Sequence, residues 1–295
     1  MKILLFGANG QVGWELQRSL APLGEVIALD RHSQHLCGDL ANLQGLADTV
    51  AQVSPNVIVN AAAYTAVDKA ESDVDTAHLI NALAPGALAQ AATAAGAVLV
   101  HYSTDYVFDG SGSTPWVETD PTGPLNVYGR TKLEGEQLIA SQCANHLIFR
   151  TSWVYAARGG NFAKTMLRLA GQRESLSVIN DQFGAPTGAD LLADATSHAI
   201  RQVLRRPQDA GTYHLAAAGQ TTWFGYANYV IDQQIHAQAA PEIIVKNILP
   251  VATSAFPTPA VRPHNSRLNT AKFQQTFGLH LAPWQTGVAR MLAEI

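Results

Sequence analysis

Apolar runs and amphipathic stretches alternate along the first half of the chain. Residues 2–6 form an apolar run that predicts a buried strand, and 11–21 carry helical periodicity. "EVIAL" (25–29) predicts a second strand ending at Asp30, with a helix over 42–53. "PNVIVNAAA" (55–63) predicts a third strand running into a turn of small residues. Helices are expected over 67–80 and 85–95, with Pro85 in a first helical turn. "AVLVHYST" (97–104) is a fourth strand, 127–143 a helix, and "HLIFRTS" (146–152) a fifth strand. Buried strands alternating with helices predict an α/β fold, a doubly wound parallel sheet covered on both faces.

After about residue 155 the rhythm loosens. "FAKTMLRLAG" predicts a helix, "SLSVIN" a strand and "DLLADATSHAIRQVL" another helix. "PVATSAFPTPAVRPHNSRLNT" (250–270) is a long proline-bearing loop of the kind that carries function. The division expected is a nucleotide-binding domain over 1–152, joined by a later strand and helix from about 175–204. A smaller substrate-binding domain covers most of 153–295.

Composition narrows the function classes. With 295 residues and 47% apolar content, a sizeable core is available. A net charge of −4 argues against nucleic acid as partner. No stretch reads as a signal peptide or membrane span, so no membrane partner is expected. The two cysteines, Cys37 and Cys143, form neither a metal spacing nor a disulfide framework, which fits a reducing cytoplasm.

The chemistry begins at "GANGQVG". Gly7 lets the chain turn off the first strand, Gly10 lets backbone amides approach a pyrophosphate, and Gly13 lets the helix pack closely on the sheet. Gln11 and Val12 sit at the helix N-terminus, whose amides and dipole favour an anion. This makes the sheet Rossmann-type. Asp30 ends the second strand and is placed to accept bonds from an adenine-ribose diol. Arg31 follows and can meet a 2′-phosphate, so NADPH or NADH is the expected cofactor. Asp39 and Leu40 end another short extended stretch, where an adenine ring fits. "NAAAYT" (60–65) brings Ala62, Ala63, Tyr64 and Thr65 to a strand end that a cofactor can approach, with Tyr102 on the next strand.

Tyr128 and Lys132 are four apart and share a helix face. A neighbouring ammonium favours the phenolate, so Lys132 is expected to lower the pKa of Tyr128 and also to bind the nicotinamide ribose. Tyr128 then protonates a carbonyl oxygen as hydride arrives. The strand before them ends in Ser103 and Thr104, whose hydroxyls are candidates to bond the same oxygen.

With Gly7, Gly10, Gly13, Asp30, Asn60-Ala61-Ala62, Thr104, Tyr128 and Lys132, the sequence resembles the extended short-chain dehydrogenase/reductase family. "STDYVFDG", "LNVYGRTKLEGE", "VINDQFGAPTGADLLA" and "RPHNSRLNT" resemble its nucleotide-sugar reductases. The resemblance implies reduction of the C4 ketone of dTDP-4-dehydro-β-L-rhamnose. It implies Tyr128 as proton donor, Lys132 as its partner and Thr104 as the residue orienting the ketone. Asp105 would meet a sugar hydroxyl and Trp153 would line the sugar pocket. "DQFGAPT" (181–187) and "RPHNSR" (262–267) would wall the nucleotide, with Arg262 or Arg267 toward the diphosphate. Some relatives bind Mg²⁺ at a homodimer interface, at positions matching Glu15, Asp190 and Glu294 here.

No histidine pair has the spacing of a catalytic zinc site. Two other functions compete. An epimerase or dehydratase shares the family, but dehydratases carry Asp-Glu after the Thr, where this chain has Asp105 and Tyr106. A non-catalytic regulatory subunit need not keep Thr104, Tyr128 and Lys132 together.

Overall fold

A computed structural model describes residues 1–237 and 243–295. The first part alternates β1 (Lys2–Phe6), α1 (Gln11–Leu20), β2 (Glu25–Leu29), α2 (Leu43–Val53) and β3 (Val57–Asn60). There follow α3 (Val67–Ala70), α4 (Val74–His78), α5 (Ala84–Ala95), β4 (Val98–Thr104), α6 (Val127–Gln142) and β5 (His146–Thr151). The second part holds β6 (Val154–Tyr155), α7 (Phe162–Ala170), β7 (Ser175–Ile179), β8 (Phe183–Gly184), β9 (Thr187–Gly188), α8 (Ala189–Val203) and β10 (Gly211–His214). It ends with β11 (Thr221–Thr222), α9 (Trp223–Ala237), β12 (Asn247–Val251), α10 (Ala271–Phe277) and α11 (Trp284–Leu292).

Six strands form one parallel sheet in the order β10-β5-β4-β3-β1-β2. Period-two side-chain alternation splits β1 between two cores. Ile3 and Leu5 pack with Leu16 and Leu20 of α1 and Leu192 and Ala199 of α8. Leu4 and Phe6 pack on the other face with Leu46 and Val50 of α2 and Leu88 of α5. The chain runs from β1 to β2 on one side and returns to β3 on the other. The strand order therefore reverses between β1 and β3, and a crevice opens at their carboxyl ends.

The expectation of a later strand in the main sheet needs correction. The strand near 175 does not join the main sheet; β7 pairs with β12 in a separate ladder. The sixth strand is instead β10, only four residues long, held in register against β5. The helix after 189 does return to the first part and packs on α1, where Ser19 Oγ donates to the Ala193 carbonyl.

The helix expected over 67–80 breaks at 71–73, and no break separates it from the next. α4 runs through a π-turn (Leu79–Leu83) into α5. The cause is Pro85, which has no N–H for the carbonyl of Asn81, four residues earlier. The widened turn serves packing. A Cβ on Gly135 of α6 would lie 2.2 Å from the Asn81 carbonyl oxygen, so α6 sits against the turn at a glycine.

The helix α6 is fixed from its other side by a buried ion pair. Arg150 of β5 donates through Nε and an Nη to Glu136, at 3.0 and 2.6 Å, with both side chains under 10% exposed. Removing one partner strands a buried charge. Arg150→Met is expected to lower unfolding free energy by about 3–5 kcal/mol, and Arg150→Met with Glu136→Met by less, read from denaturant titration.

Candidate active site

The crevice floor lacks side chains where a dinucleotide would pass. Gly7 has φ +86°, in the left-handed region. A Cβ there would lie 2.7 Å from the Ala62 amide nitrogen, and one on Gly13 would lie 2.0 Å from the Gly7 carbonyl oxygen. Gly10 caps α1 with no side-chain hydrogen bond, so the first-turn amides stay open to an anion. These features fit a bound pyrophosphate. Val12 turns into the core, and the side-chain amide of Gln11 donates to the Gly160 carbonyl at 2.9 Å, so both offer backbone only.

Asp30 stands at the end of β2, beside the loop. Its carboxylate accepts from Asn9 Nδ2 of the glycine loop and from the His32 amide at 2.8 Å. Arg31 is exposed and donates from Nε to His32. Asp39 accepts from the Ala41 amide, and Leu40 is buried in the core beneath the loop, which is not extended there. Ala62 and Ala63 lie half-buried after β3. Tyr64 is held by the buried Asn81, which accepts from the Tyr64 amide and donates to its carbonyl. Thr65 is exposed.

The reacting groups gather at the carboxyl end of β4. Asn126 caps α6 by accepting from the Gly129 amide at 2.8 Å, which places Tyr128 in the first turn. Tyr128 lies beside Thr104 and meets the ring of Tyr106 edge-on, 5.6 Å between centroids. Thr104 Oγ1 donates to Asp105 at 3.2 Å. Ser103 Oγ is buried without a partner, so Thr104 is the hydroxyl beside Tyr128.

Burial raises the Tyr128 phenol well above its ordinary value, and the nearby charge of Asp105 adds to this. Burial also pushes Tyr106 up to about 12 and the Asp105 carboxyl up to about 7. Lys132 is pushed down to about 8, again by burial. The expected lowering of Tyr128 by Lys132 is not seen, and the phenol is raised instead. Lys132 Nζ bonds His101 Nε2 at 2.9 Å and the Tyr102 carbonyl at 2.6 Å instead. Tyr102 offers that carbonyl, while its hydroxyl bonds Thr196 at 2.6 Å.

The second part supplies the opposite wall. Trp153 holds φ +48°, unusual for a tryptophan, and stacks on Trp223 with centroids 3.6 Å apart. Gly184 flattens its other side, since a Cβ there would lie 2.6 Å from the indole. Arg262 pairs with Asp68 of α3 at 2.7 Å. Arg267 is buried, lies over the Phe183 ring at 4.1 Å and bonds Gln220 and Asn265. It braces the wall rather than facing a diphosphate. Asn81, His101 and Trp223 were not singled out as site residues from sequence. Their partners lie tens of residues away, and no local spacing marks them.

The structure brings the three metal candidates to one place. Glu15, Asp190 and Glu294 line one cavity of about 270 Å³. Each already faces a guanidinium: Glu15 that of Arg18 at 3.4 Å, Asp190 that of Arg290 at 3.4 Å, and Glu294 that of Arg290 at 3.3 Å. Among the described residues no group of three or more His, Cys, Asp or Glu is placed to hold an ion.

A family model described as RmlD substrate binding domain matches residues 1–295. A dTDP-4-dehydrorhamnose reductase of Shigella flexneri is 62% identical over 295 residues, covering 100% of this chain and 98% of the relative. A crystal structure of a dTDP-4-dehydrorhamnose reductase from Clostridium acetobutylicum is 37% identical, with TM-score 0.90 and 99% of each chain covered. One from Bacillus anthracis, in complex with NADP, is 34% identical, with TM-score 0.89, covering 100% of this chain and 99% of that one.

Asp105 keeps its proton to about pH 7 in the folded protein but loses it near pH 4 when unfolded. Between those values the unfolded chain binds fewer protons, so this group lowers stability as pH rises. Denaturant midpoints should fall through that window, and Asp105→Asn should remove that part of the slope.

Proposed function

The chain belongs to the RmlD substrate binding domain family, and from that premise we propose how its residues carry out the family's reaction. It is an NAD(P)H-dependent oxidoreductase that reduces dTDP-4-dehydrorhamnose at C4, the last step in making dTDP-L-rhamnose. The observation that carries the residue assignment is the meeting of Tyr128 with Thr104 at the carboxyl end of β4, beside the crevice.

When bound, NADPH or NADH supplies the hydride that reaches sugar C4. Tyr128 holds a proton through neutral pH, because its phenol is raised by burial. It gives that proton to the C4 oxygen, a transfer that requires hydrogen-bond reach. Thr104 donates to the same oxygen and fixes the ketone. Lys132 would hold the nicotinamide ribose. Asp105 is placed for a sugar hydroxyl, its Oδ2 being buried without a partner. Trp153, stacked by Trp223 on one face and backed by Gly184 on the other, offers the 6-deoxy end of the sugar an indole edge.

In this reading the six-stranded half holds the dinucleotide and the part after residue 153 holds the sugar nucleotide. No helix among the described residues is long and apolar enough to cross a membrane, which supports a cytoplasmic place of work. A homodimer is the expected assembly, with exposed Trp14 and Arg18 beside the carboxylate cavity as its contact surface.

The test is oxidation of NADPH and of NADH in the presence of dTDP-4-dehydro-β-L-rhamnose. Substrate-dependent loss of nicotinamide absorbance is expected with at least one cofactor, and its absence with both overturns the reading. Tyr128→Phe should keep cofactor binding and lose about 10²–10⁴-fold in turnover. Full activity in that variant would remove Tyr128 from its role.

A further inference from the structure

Trp223 opens α9, and the reaction assigned above gives it no task. It stacks on Trp153 with centroids 3.6 Å apart and 14° between the ring planes. It also meets Phe162 of α7, 4.6 Å between centroids. Its Nε1 donates to Gln182 Oε1 at 3.0 Å.

Gln182 is buried, and its amide has one possible sense. An indole N–H can only donate, so the Gln182 oxygen faces Trp223 and its nitrogen faces away. That nitrogen donates to Thr253 Oγ1 at 3.1 Å, and the Thr253 hydroxyl donates to Asp181 Oδ1 at 2.6 Å. The Thr253 amide reaches the same carboxylate at 2.9 Å. Every donor along this line points toward Asp181, so each bond polarises the next in the same sense and strengthens it. The line ties the Trp223 ring to the long proline loop, on which Thr253 lies.

Trp153 has little freedom against this support. Its φ of +48° is a conformation that persists where the surroundings over-determine it. Its carbonyl accepts from the Thr187 amide at 3.1 Å. One face of the indole is taken by Trp223, and the other lies so close to Gly184 that a Cβ there would come within 2.6 Å. What the indole has left to offer is its edge.

Resting on the place given to Trp153 in the sugar pocket, we propose that Trp223 is a positioning residue for the substrate sugar. Stacked on Trp153 and anchored through Gln182, it holds the indole in one plane, so that the indole edge meets the sugar at a fixed height. Without it the space beside the indole opens, Trp153 is free to tilt, and the sugar meets a wall of no defined shape. The effect falls on the sugar, because Trp223 reaches the pocket through Trp153.

A purely structural role makes a different prediction. Trp223 also packs among apolar side chains of α7 and α9. If it only filled space there, its loss would loosen the second part as a whole and weaken nucleotide and sugar alike.

The test is calorimetric titration of the full chain with dTDP and with dTDP-L-rhamnose, since the ratio of the two dissociation constants isolates the sugar. Trp223→Leu should weaken dTDP-L-rhamnose by about 3–10-fold, the scale of one aromatic pair, and leave dTDP within about twofold. Trp223→Phe, which keeps a ring against Trp153, should recover most of the loss. Trp153→Leu/Trp223→Leu should lose no more than Trp153→Leu alone, the non-additivity of residues that act through one contact. An unchanged affinity for dTDP-L-rhamnose in Trp223→Leu overturns the proposal, as does an equal loss for both ligands or an additive double variant. If Trp223→Leu does not fold, Gln182→Met carries the test. It leaves both rings and removes the acceptor of the Trp223 N–H, so it should weaken dTDP-L-rhamnose and not dTDP, and an unchanged ratio overturns the proposal. The outcomes separate the two levels. An unchanged ratio in Trp153→Leu removes Trp153 from the sugar pocket and the proposal with it. A changed ratio there, beside an unchanged one in Trp223→Leu, removes only the positioning role.

Discussion

The site depends on how α6 is held. Tyr128, Lys132 and Glu136 follow one another at four-residue intervals and share one inward stripe. The last of the three is locked by Arg150, and the guanidinium also lies 5.2 Å over the ring of Phe108. The N-terminus is capped by Asn126, which at the same time donates to the Val261 carbonyl of the long proline loop. Gly129 and Gly135 let the helix approach the Tyr106 and Asn81 carbonyls at distances that a Cβ would forbid. A helix fixed at its cap, middle and inner charge holds its side chains to a narrow range of positions, which proton transfer requires.

That packing has an electrostatic result. The groups of the reacting pocket are largely removed from water, and that works against every charge in it. Tyr128, Tyr106 and Asp105 all hold their protons more tightly than they would in water, while Lys132 and His101 hold theirs less tightly. Tyr128 thus carries its proton at neutral pH. Before the structure, Lys132 is naturally read as the group that tunes Tyr128, because the i, i+4 spacing brings the two residues to one face. The spacing is right, but a lysine side chain is long enough to choose between neighbours. Here it turns to the sheet.

Much of the sheet was legible because buried strands and glycine turns are local signals. The runs at 2–6, 25–29 and 146–151 need no distant partner to be read, and Gly7, Gly10 and Gly13 announce their turn directly. β10 was not legible. "GTYH" is short and half polar, and only pairing with β5 makes it a strand. The π-turn was missed because Pro85 suits a first turn and an interrupted helix equally well from sequence. Arg267 shows how neighbours shape a role that position alone suggests. A residue's charge fixes what it can bind, but its neighbours decide what it does bind, and here Phe183, Gln220 and Asn265 hold the guanidinium.

Asp30 illustrates the same point at the cofactor edge. A free carboxylate at the end of β2 would favour a ribose diol and repel a 2′-phosphate. Here its oxygens already accept from Asn9, the His32 amide and Ser33. The carboxylate braces the glycine loop against the second strand, and those donors spread its charge. Arg31 next to it is exposed and has only a neighbouring histidine as partner. A braced acid beside an uncommitted guanidinium gives an edge with both an acceptor and a phosphate donor. The sequence alone shows the acid and the base side by side, and only the fold shows that Asn9 and Ser33 hold the acid.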